Sequence, residues 1–442
     1  MNPMKIRSLF ESRCKQSNGR WRFLTEMKQG LGLCDANGSD YRDYAGNRIL
    51  KDAKLRPEQF SLQELAEGIV GPSWRALFAP DSQALNRFTL ARAMMEGATD
   101  RALLENTGIG IDPTAFANIN TFTSVVGGLV EVKILESFQN PALIADKIAP
   151  AEPTKLNGQK IIGVNRIGDL AKERKPGEPH PRGQFNERWV QTPETSEFAL
   201  AIEVNKETVF FDLTSQILQN AALVGEEIAY RKELRVIDAF IGVTNSFNYN
   251  GSAYNTYQTS RTQGYLNDHS NPLVDWTSLQ ASMLLTMRQQ DPQTAKRILV
   301  NPDTVIVNPA KVATANLILS ATQTERRTGS SSPAQTASNP LNVSVSPGAP
   351  YTGLQVMSSP LIEQRCVASD GLNLAQANAD EYWWLLERGK FMRYMQNYPL
   401  SVSQAAPNTY EMLDRGIVAA YFANERGVPA IWSPWHIVRN KN

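Results

Sequence analysis

Histidine is scarce in this chain: three in 442 residues, His180, His269 and His436, and none falls in a spaced ligand set such as HExxH. A metal centre therefore has little support in the sequence. Signatures of a nucleophile elbow, a phosphate loop and a dinucleotide-binding turn are missing too. GIGID at 108–112 is the nearest glycine cluster, and it runs into a proline instead of opening a helix. Glu226 and Glu227 are adjacent, so on a helix they diverge by about 100° and form no acid–base pair. A catalytic set assembled only in space escapes such a reading. Even so, the missing motifs and the scarcity of histidine argue against catalysis, and no cofactor is indicated.

Cysteine is equally rare. Cys14, Cys34 and Cys366 offer neither metal spacing nor a disulfide framework; a Cys14–Cys34 pair stays open, and a reducing compartment is the expectation. No apolar run approaches the ~18 residues of a membrane span, and MNPMKIRSLF is not followed by a signal-peptide core. A soluble protein working in a cytoplasm is expected. No charge dominates: 45 Lys and Arg stand against 44 Asp and Glu, which announces neither nucleic acid nor membrane. Only the opening segment leans basic, with twelve basic against six acidic residues through Arg56. It reads as a solvated arm before it reads as a surface for nucleic acid or an acidic partner.

What the chain does have is apolar material, 42% of its residues, ample for two or three domains. It also has one long polar interruption. GDLAKERKPGEPHPRGQFNERWV, residues 168–190, carries three prolines, three glycines and dense charge of both signs between two strand-like segments. Upstream, a turn at Leu156-Asn157-Gly158 leads into KIIGV; downstream, TSEFALAIEVNKETVFFD alternates, with Phe198, Leu200, Ile202 and Val204 on one face. The polar stretch is then the tip of a hairpin with arms of about ten residues, marginal alone in water. Such a tongue has too little to bury in its own subunit and is built to lie on a neighbour.

Directly after it, residues 213–242 give a helix-spaced apolar stripe through Ile217, Leu218, Ala221, Val224, Ile228, Ile237 and Phe240. Arg231, Lys232, Glu233 and Arg235 are assigned to its exposed side, and the helix would run roughly 45 Å. Ahead of the hairpin, helical signal appears over 6–14 and 21–31. Ser61 with Glu64 forms a capping box for a helix that presents Leu62, Leu65, Ala66 and Ile69 on one face. Another helical stretch spans 88–108, and 116–138 reads as an extended arm leading into a helix. Residues 244–274 read as a surface loop whose tyrosines, Tyr249, Tyr254, Tyr257 and Tyr265, anchor it more readily than they stack bases. A helix at WTSLQASMLLTMRQQ, a strand at RILVNPDTVIVN and a helix opened by Pro309 follow. After the Ser/Thr/Pro-rich residues 322–350, strands dominate: LQVMSSPLI, EYWWLLE, FMRYMQNYPLSVS and GIVAAYFANERGVPAIWSPWHIVRN.

This order of elements resembles the major capsid proteins of tailed bacteriophages, whose shared fold is named after the phage Hong Kong 97. The segments AKRILVNPDTVIVNPAKVATANLIL, LQVMSSPLI with DEYWWLLERGKF, and MLDRGIVAAYFANERGVPAIWSPWHIVRN carry the likeness, the last with Arg426-Gly427 as the turn between its two strands. The resemblance implies an α+β fold with an N-terminal arm (111–150), an extended hairpin loop (151–212), a spine helix with peripheral domain (213–274), an axial lobe (275–385) and return strands (386–442). Residues 1–110 form an extension without a simple counterpart: in some relatives such a region is a scaffolding segment removed by a protease, in others it stays.

The implied function is a shell subunit, not an enzyme. It would assemble as hexamers and pentamers into an icosahedral capsid around double-stranded DNA in the host cytoplasm, with portal and scaffold proteins as further partners and no membrane. On that reading Lys172, Glu173, Arg174, Lys175, Arg182, Glu187 and Arg188 make weak ion pairs with neighbouring subunits, while Phe185 and Trp189 are hydrophobic anchors. Arg231, Lys232 and Arg235 are the candidates for non-specific DNA contact. An encapsulin-type nanocompartment is the nearer alternative and an unrecognised α+β enzyme or binding protein the farther one.

Overall fold

The structure is a computed structural model describing residues 3–14, 19–43, 45–51, 53–70, 114–139, 143–164, 187–211, 213–261, 265–290, 297–326, 335–339, 341–342, 353–405 and 416–442. In chain order the helices are α1 (Pro3–Cys14), α2 (Gly19–Gly30), α3 (Leu62–Ile69), α4 (Thr114–Phe138), α5 (Ala145–Ile148), α6 (Lys206–Phe210), α7 (Thr214–Ile241), α8 (Trp276–Met287), α9 (Val312–Ser320), α10 (Pro360–Val367) and α11 (Gln376–Ala379). The strands are β1 (Ala151–Pro153), β2 (Lys160–Val164), β3 (Glu187–Gln191), β4 (Ser196–Asn205), β5 (Ser246–Tyr249), β6 (Ser252–Asn255), β7 (Asp268–Ser270), β8 (Thr304–Val307), β9 (Gln323–Arg326), β10 (Gln335–Ser338), β11 (Gln355–Met357), β12 (Trp383–Leu386), β13 (Met392–Gln404), β14 (Ile417–Ile431) and β15 (Ile437–Lys441). The fold is α+β, as expected.

Two units divide the chain. One comprises Met1–Asn140, Glu197–Tyr230 and Tyr398–Arg426; the other takes Pro141–Ser196, Arg231–Asn397 and Gly427–Asn442. In the first, α4 is buried almost all round from Thr121 to Leu135. Phe122, Val125, Val126, Leu129, Val130, Ile134 and Leu135 recur at spacings of three and four and sink into one core with Ile202 and Val204 of β4 and Ile217, Ala221 and Ile228 of α7. This corrects the expected extended arm from residue 116: the stretch is helical from Thr114. Polar residues among the apolar ones disguised it, although Thr121 and Thr123 are themselves buried. Gly225 marks where α7 crosses α4. A Cβ there would lie 2.4 Å from the Ile134 carbonyl oxygen, so the glycine sets how closely the two backbones approach. Ser61 caps α3 as expected, its Oγ accepting from the Glu64 amide at 3.4 Å.

The second unit is built on a five-stranded sheet, β11-β8-β12-β15-β7. WWLL of β12 is buried on both faces, as is TVIV of β8. Alternation sends Trp384 and Leu386 into a cluster with Ile237, Phe240 and Ile306. Trp383 and Leu385 face the opposite cluster, with Leu279 and Met283 of α8 and Ala315 and Ile318 of α9. The sheet is thus sandwiched between two helical layers.

A four-stranded sheet runs β1-β13-β14-β4, and another runs β2-β3-β5-β6. Three further expectations are corrected. β14 passes unbroken through Arg426 and Gly427, so no turn sits there; the break comes at the 3-10 turn Pro434–His436. Gly427 is needed for packing, since a Cβ would fall 2.5 Å from the Tyr394 ring. LQVMSSPLI is a strand only to Met357, because Pro360 opens α10. Finally, 244–274 is not a plain loop: Asn250-Gly251, with φ of 50° and 83°, closes a two-residue hairpin between β5 and β6.

Candidate inter-subunit surface

The polar tongue is held at its base by β2 and β3. They pair antiparallel from Lys160↔Gln191 to Val164↔Glu187. The hairpin is therefore present, with arms of five residues. Its return arm begins at Glu187, inside the stretch taken for the tip, while TSEFALAIEV forms β4 in a different sheet and ends at α6. The sequence misled because ERWVQ is short and mixed, whereas the run after it alternates more cleanly.

Across the hairpin, Ile161 faces Val190 and Ile162 faces Trp189. The first pair points inward: Ile161 packs on Met395, Val428 and Ala430, and Val190 joins the cluster that holds Phe247. The second pair points out, and Ile162 is 64% exposed. Trp189 is half-buried and seated by its own subunit. Lys160 Nζ lies 4.4 Å from its ring centroid, and the ring covers Gly251. Its backbone amide donates to Asn250 Oδ1 at 3.0 Å, and its carbonyl accepts from the Asn250 amide at 2.9 Å. This leaves a pre-ordered tryptophan beside an exposed isoleucine and a cation. Trp189 is thus braced by Lys160 and the Asn250-Gly251 turn, with exposed Ile162 across the strand pair. The Asn-Gly turn was the available signal for Asn250; nothing in the sequence pointed to Ile162.

Of the residues expected to meet neighbouring subunits, Trp189 is thus placed on the outward face. Glu187 and Arg188 lie in β3 opposite Val164 and Gly163. Lys172, Glu173, Arg174, Lys175, Arg182 and Phe185 fall outside the described residues.

The basic group on α7 is arranged differently from expectation. Arg231 is exposed. Lys232 is only 6% exposed, with Nζ 2.7 Å from Asp146 and 4.8 Å above the Tyr394 ring. Glu233 is fully buried, and its carboxylate accepts from the amides of Ile144 at 3.1 Å and Ala145 at 2.7 Å, at the start of α5. Burial pushes this carboxyl above its ordinary range, and those two amides oppose the shift. Arg235 is half-buried and donates to the Gly427 carbonyl at 2.6 Å. Lys232 sits four residues after Ile228, on the apolar stripe itself, so its stem is buried and its charge needs a partner. The exposed-side assignment of Lys232, Glu233 and Arg235 is therefore corrected.

Nothing in the described grooves assembles acid–base machinery. A cleft of about 350 Å³ beside β3 and β5 has Glu194 as its sole ionisable lining residue. In another, of about 490 Å³, Glu58 and Lys133 are paired with each other. The tyrosines behave as anchors: Tyr257 is buried and its hydroxyl donates to the Phe240 carbonyl at 2.5 Å. Cys34 and Cys366 are buried free thiols, and burial pushes Cys366 up to about 12, which leaves it inert. Among the described residues no three acidic, cysteine or histidine side chains are grouped to hold a metal, and no helix is long and apolar enough to cross a membrane.

Sequence comparison matches residues 190–432 to a family described as phage capsid protein. A search of curated proteins finds no match. Among solved structures, the chain is similar to the capsid of cyanophage P-SCSP1u, at 10% identity and a TM-score of 0.41, covering 68% of this chain and 88% of that one. It is also similar to a virus-like particle from Pyrococcus furiosus, at 11% identity and a TM-score of 0.37, covering 70% and 97%. An encapsulin complex from Synechococcus elongatus matches at 12% identity and a TM-score of 0.38, covering 68% and 87%.

Proposed function

The chain belongs to the phage capsid protein family, and from that premise we propose that the β2–β3 hairpin is the device by which one copy grips the next. The protein is a structural, non-enzymatic component of the virion that assembles with copies of itself into an icosahedral shell. The family match favours this over an encapsulin-type compartment. Within that shell, copies associate as hexamers and pentamers. Residues 151–212 reach a neighbour, 213–274 form the spine and periphery, 275–385 form the lobe nearest the symmetry axis, and 386–442 return through both.

The observation that carries the proposal is the outward pair Ile162 and Trp189 at the root of a charged tongue. These two supply desolvated contact. Lys172, Glu173, Arg174, Lys175, Arg182, Glu187 and Arg188 then set register through ion pairs worth about 0–1 kcal/mol each when exposed. Weak individual contacts let misplaced subunits leave before the summed interface locks. The content is double-stranded DNA, bound without sequence preference, with exposed Arg231 as the α7 residue suited to meet phosphate. Portal and scaffold proteins complete the particle.

The test is negative-stain electron microscopy of the protein expressed alone, after size-exclusion chromatography, and again after co-expression with its neighbouring structural genes. Closed shells, tubes or five- and six-fold rings are expected. A small globular oligomer under both conditions would refute the proposal.

A further inference from the structure

We infer that residues 3–70 are a permanent layer of the shell subunit, and not an assembly segment shed as the particle matures. Ile6 of α1, Phe23 of α2, Leu31, and Leu62, Leu65 and Ile69 of α3 are each 2% exposed or less. They share one continuous core with Phe122, Leu129 and Val130 of α4 and with Ile217 of α7. Leu31 and Leu33 lie within van der Waals reach of α4 at Gly128, whose Cβ position is 3.6 and 3.8 Å from their side chains. This stretch supplies one wall of the core, so its removal would leave that core open on one side.

Polar ties run the same way. The Leu62 amide donates to Thr214 Oγ1 at 2.8 Å, joining the start of α3 to the start of α7. Gln63 Nε2 donates to the Phe210 carbonyl at 2.8 Å, and Gln139 Nε2 to the Arg48 carbonyl at 3.1 Å. Arg48 pairs with Glu131 of α4, a carboxylate only 7% exposed. Losing Arg48 would strand that buried charge. Losing α1–α3 would bare the apolar side chains of α4 and α7 that share their core, a contiguous patch of the kind soluble monomers rarely expose.

The link between α2 and α3 is equally committed to order. It holds two turns of the form Asp-x-x-Gly, eight residues apart, at Asp35–Gly38 and Asp43–Gly46. In each, the glycine amide donates to the aspartate carbonyl at 3.1 Å and the glycine adopts a positive φ, 83° and 87°. Asp35 Oδ1 accepts from the amides of Asn37 and Ser39, and Asp43 Oδ1 from that of Asn47.

The layering is a property of the subunit itself; its persistence in particles rests on the capsid reading, and two measurements separate them. A protease recognition sequence is inserted after Val70 in the full chain, the soluble subunit is nicked, and the product is run on a size-exclusion column. The N-terminal fragment should co-elute with the remainder and part from it only in denaturant. A fragment that leaves while the remainder stays soluble would overturn the inference whether or not shells form. The second measurement is intact mass of denatured subunits from assembled particles. It should include residues 3–70, and subunits that begin beyond residue 70 would overturn the permanence claim while leaving the capsid reading standing.

Discussion

Gly225→Ala sets two effects of known size against each other. In an exposed helix interior, alanine is better than glycine by about 1 kcal/mol, because glycine loses more backbone freedom on folding. At position 225 the added methyl would lie 2.4 Å from the Ile134 carbonyl oxygen and 3.0 Å from Ser137 Cβ. The first is backbone within α4 and cannot rotate aside, so α4 and α7 must separate. Overpacking of this kind costs about 1–3 kcal/mol, and here the upper part of that range applies. The net expectation is a loss of about 1–2 kcal/mol despite the better helix former. With a urea dependence of roughly 2 kcal/mol per M, the midpoint should fall by about 0.5–1 M at unchanged slope. Unassembled subunits followed by far-ultraviolet circular dichroism give the readout. Asn220→Ala, an exposed site on the same helix, is the control and should be neutral or slightly stabilising. A Gly225→Ala midpoint equal to or above wild type would refute the close crossing.

Other perturbations separate fold from assembly. Ile162→Asp and Trp189→Ala should each abolish or sharply reduce particle yield, with circular dichroism of the subunit nearly unchanged; normal particle counts would remove the hairpin root from the interface. Asp268→Ala strands Arg439, which is 8% exposed and donates to it at 2.9 Å, and should cost about 3–5 kcal/mol in urea unfolding, against under 1 kcal/mol if the pair is dispensable. Burial holds His436 below its ordinary value, although Glu387 at 3.0 Å opposes the shift. Its stabilising contribution is therefore present above about pH 6.5 and fades as pH falls through the depressed value. His436→Asn should flatten the stability profile below pH 6.5, and an unchanged slope there would discount the assignment.

Much of this was legible in advance because local pattern and tertiary role agreed. The α7 stripe, the Ser61 cap and the apolar run of β12 read correctly from the residues alone, whereas β4 is a strand whose expected inner face buries Ile202 and Val204 but leaves Leu200 exposed. Errors fell where one residue serves two roles. Lys232 looks solvated by type but sits on the buried stripe, and only a partner from elsewhere in the chain, Asp146, makes that tolerable. Gly427 looks like a turn, whereas the Tyr394 ring requires it in mid-strand. Thr121 and Thr123 made α4 look too polar to bury, though Tyr421 donates its hydroxyl to the Thr123 carbonyl at 2.8 Å. Such long-range satisfaction leaves no local trace. The outward Ile162 escaped for the opposite reason: one exposed isoleucine is ordinary until register places it beside Trp189.

The alternation of the chain between its two units bears on synthesis. Each unit is made of three separate segments, and the third of these, Tyr398–Arg426 for one and Gly427–Asn442 for the other, are translated after all the rest. Each core lacks residues until these segments have left the ribosome: Val418, Ala419, Tyr421 and Ala423 belong to one, Ile431 and Ile437 to the other. A nascent subunit therefore waits for β14 and β15 until they emerge, and pairings of such sequence separation form slowly. Subunits crowded on one messenger would then become competent to join a shell only once those strands are out and paired, so the order of the gene separates making a subunit from using it.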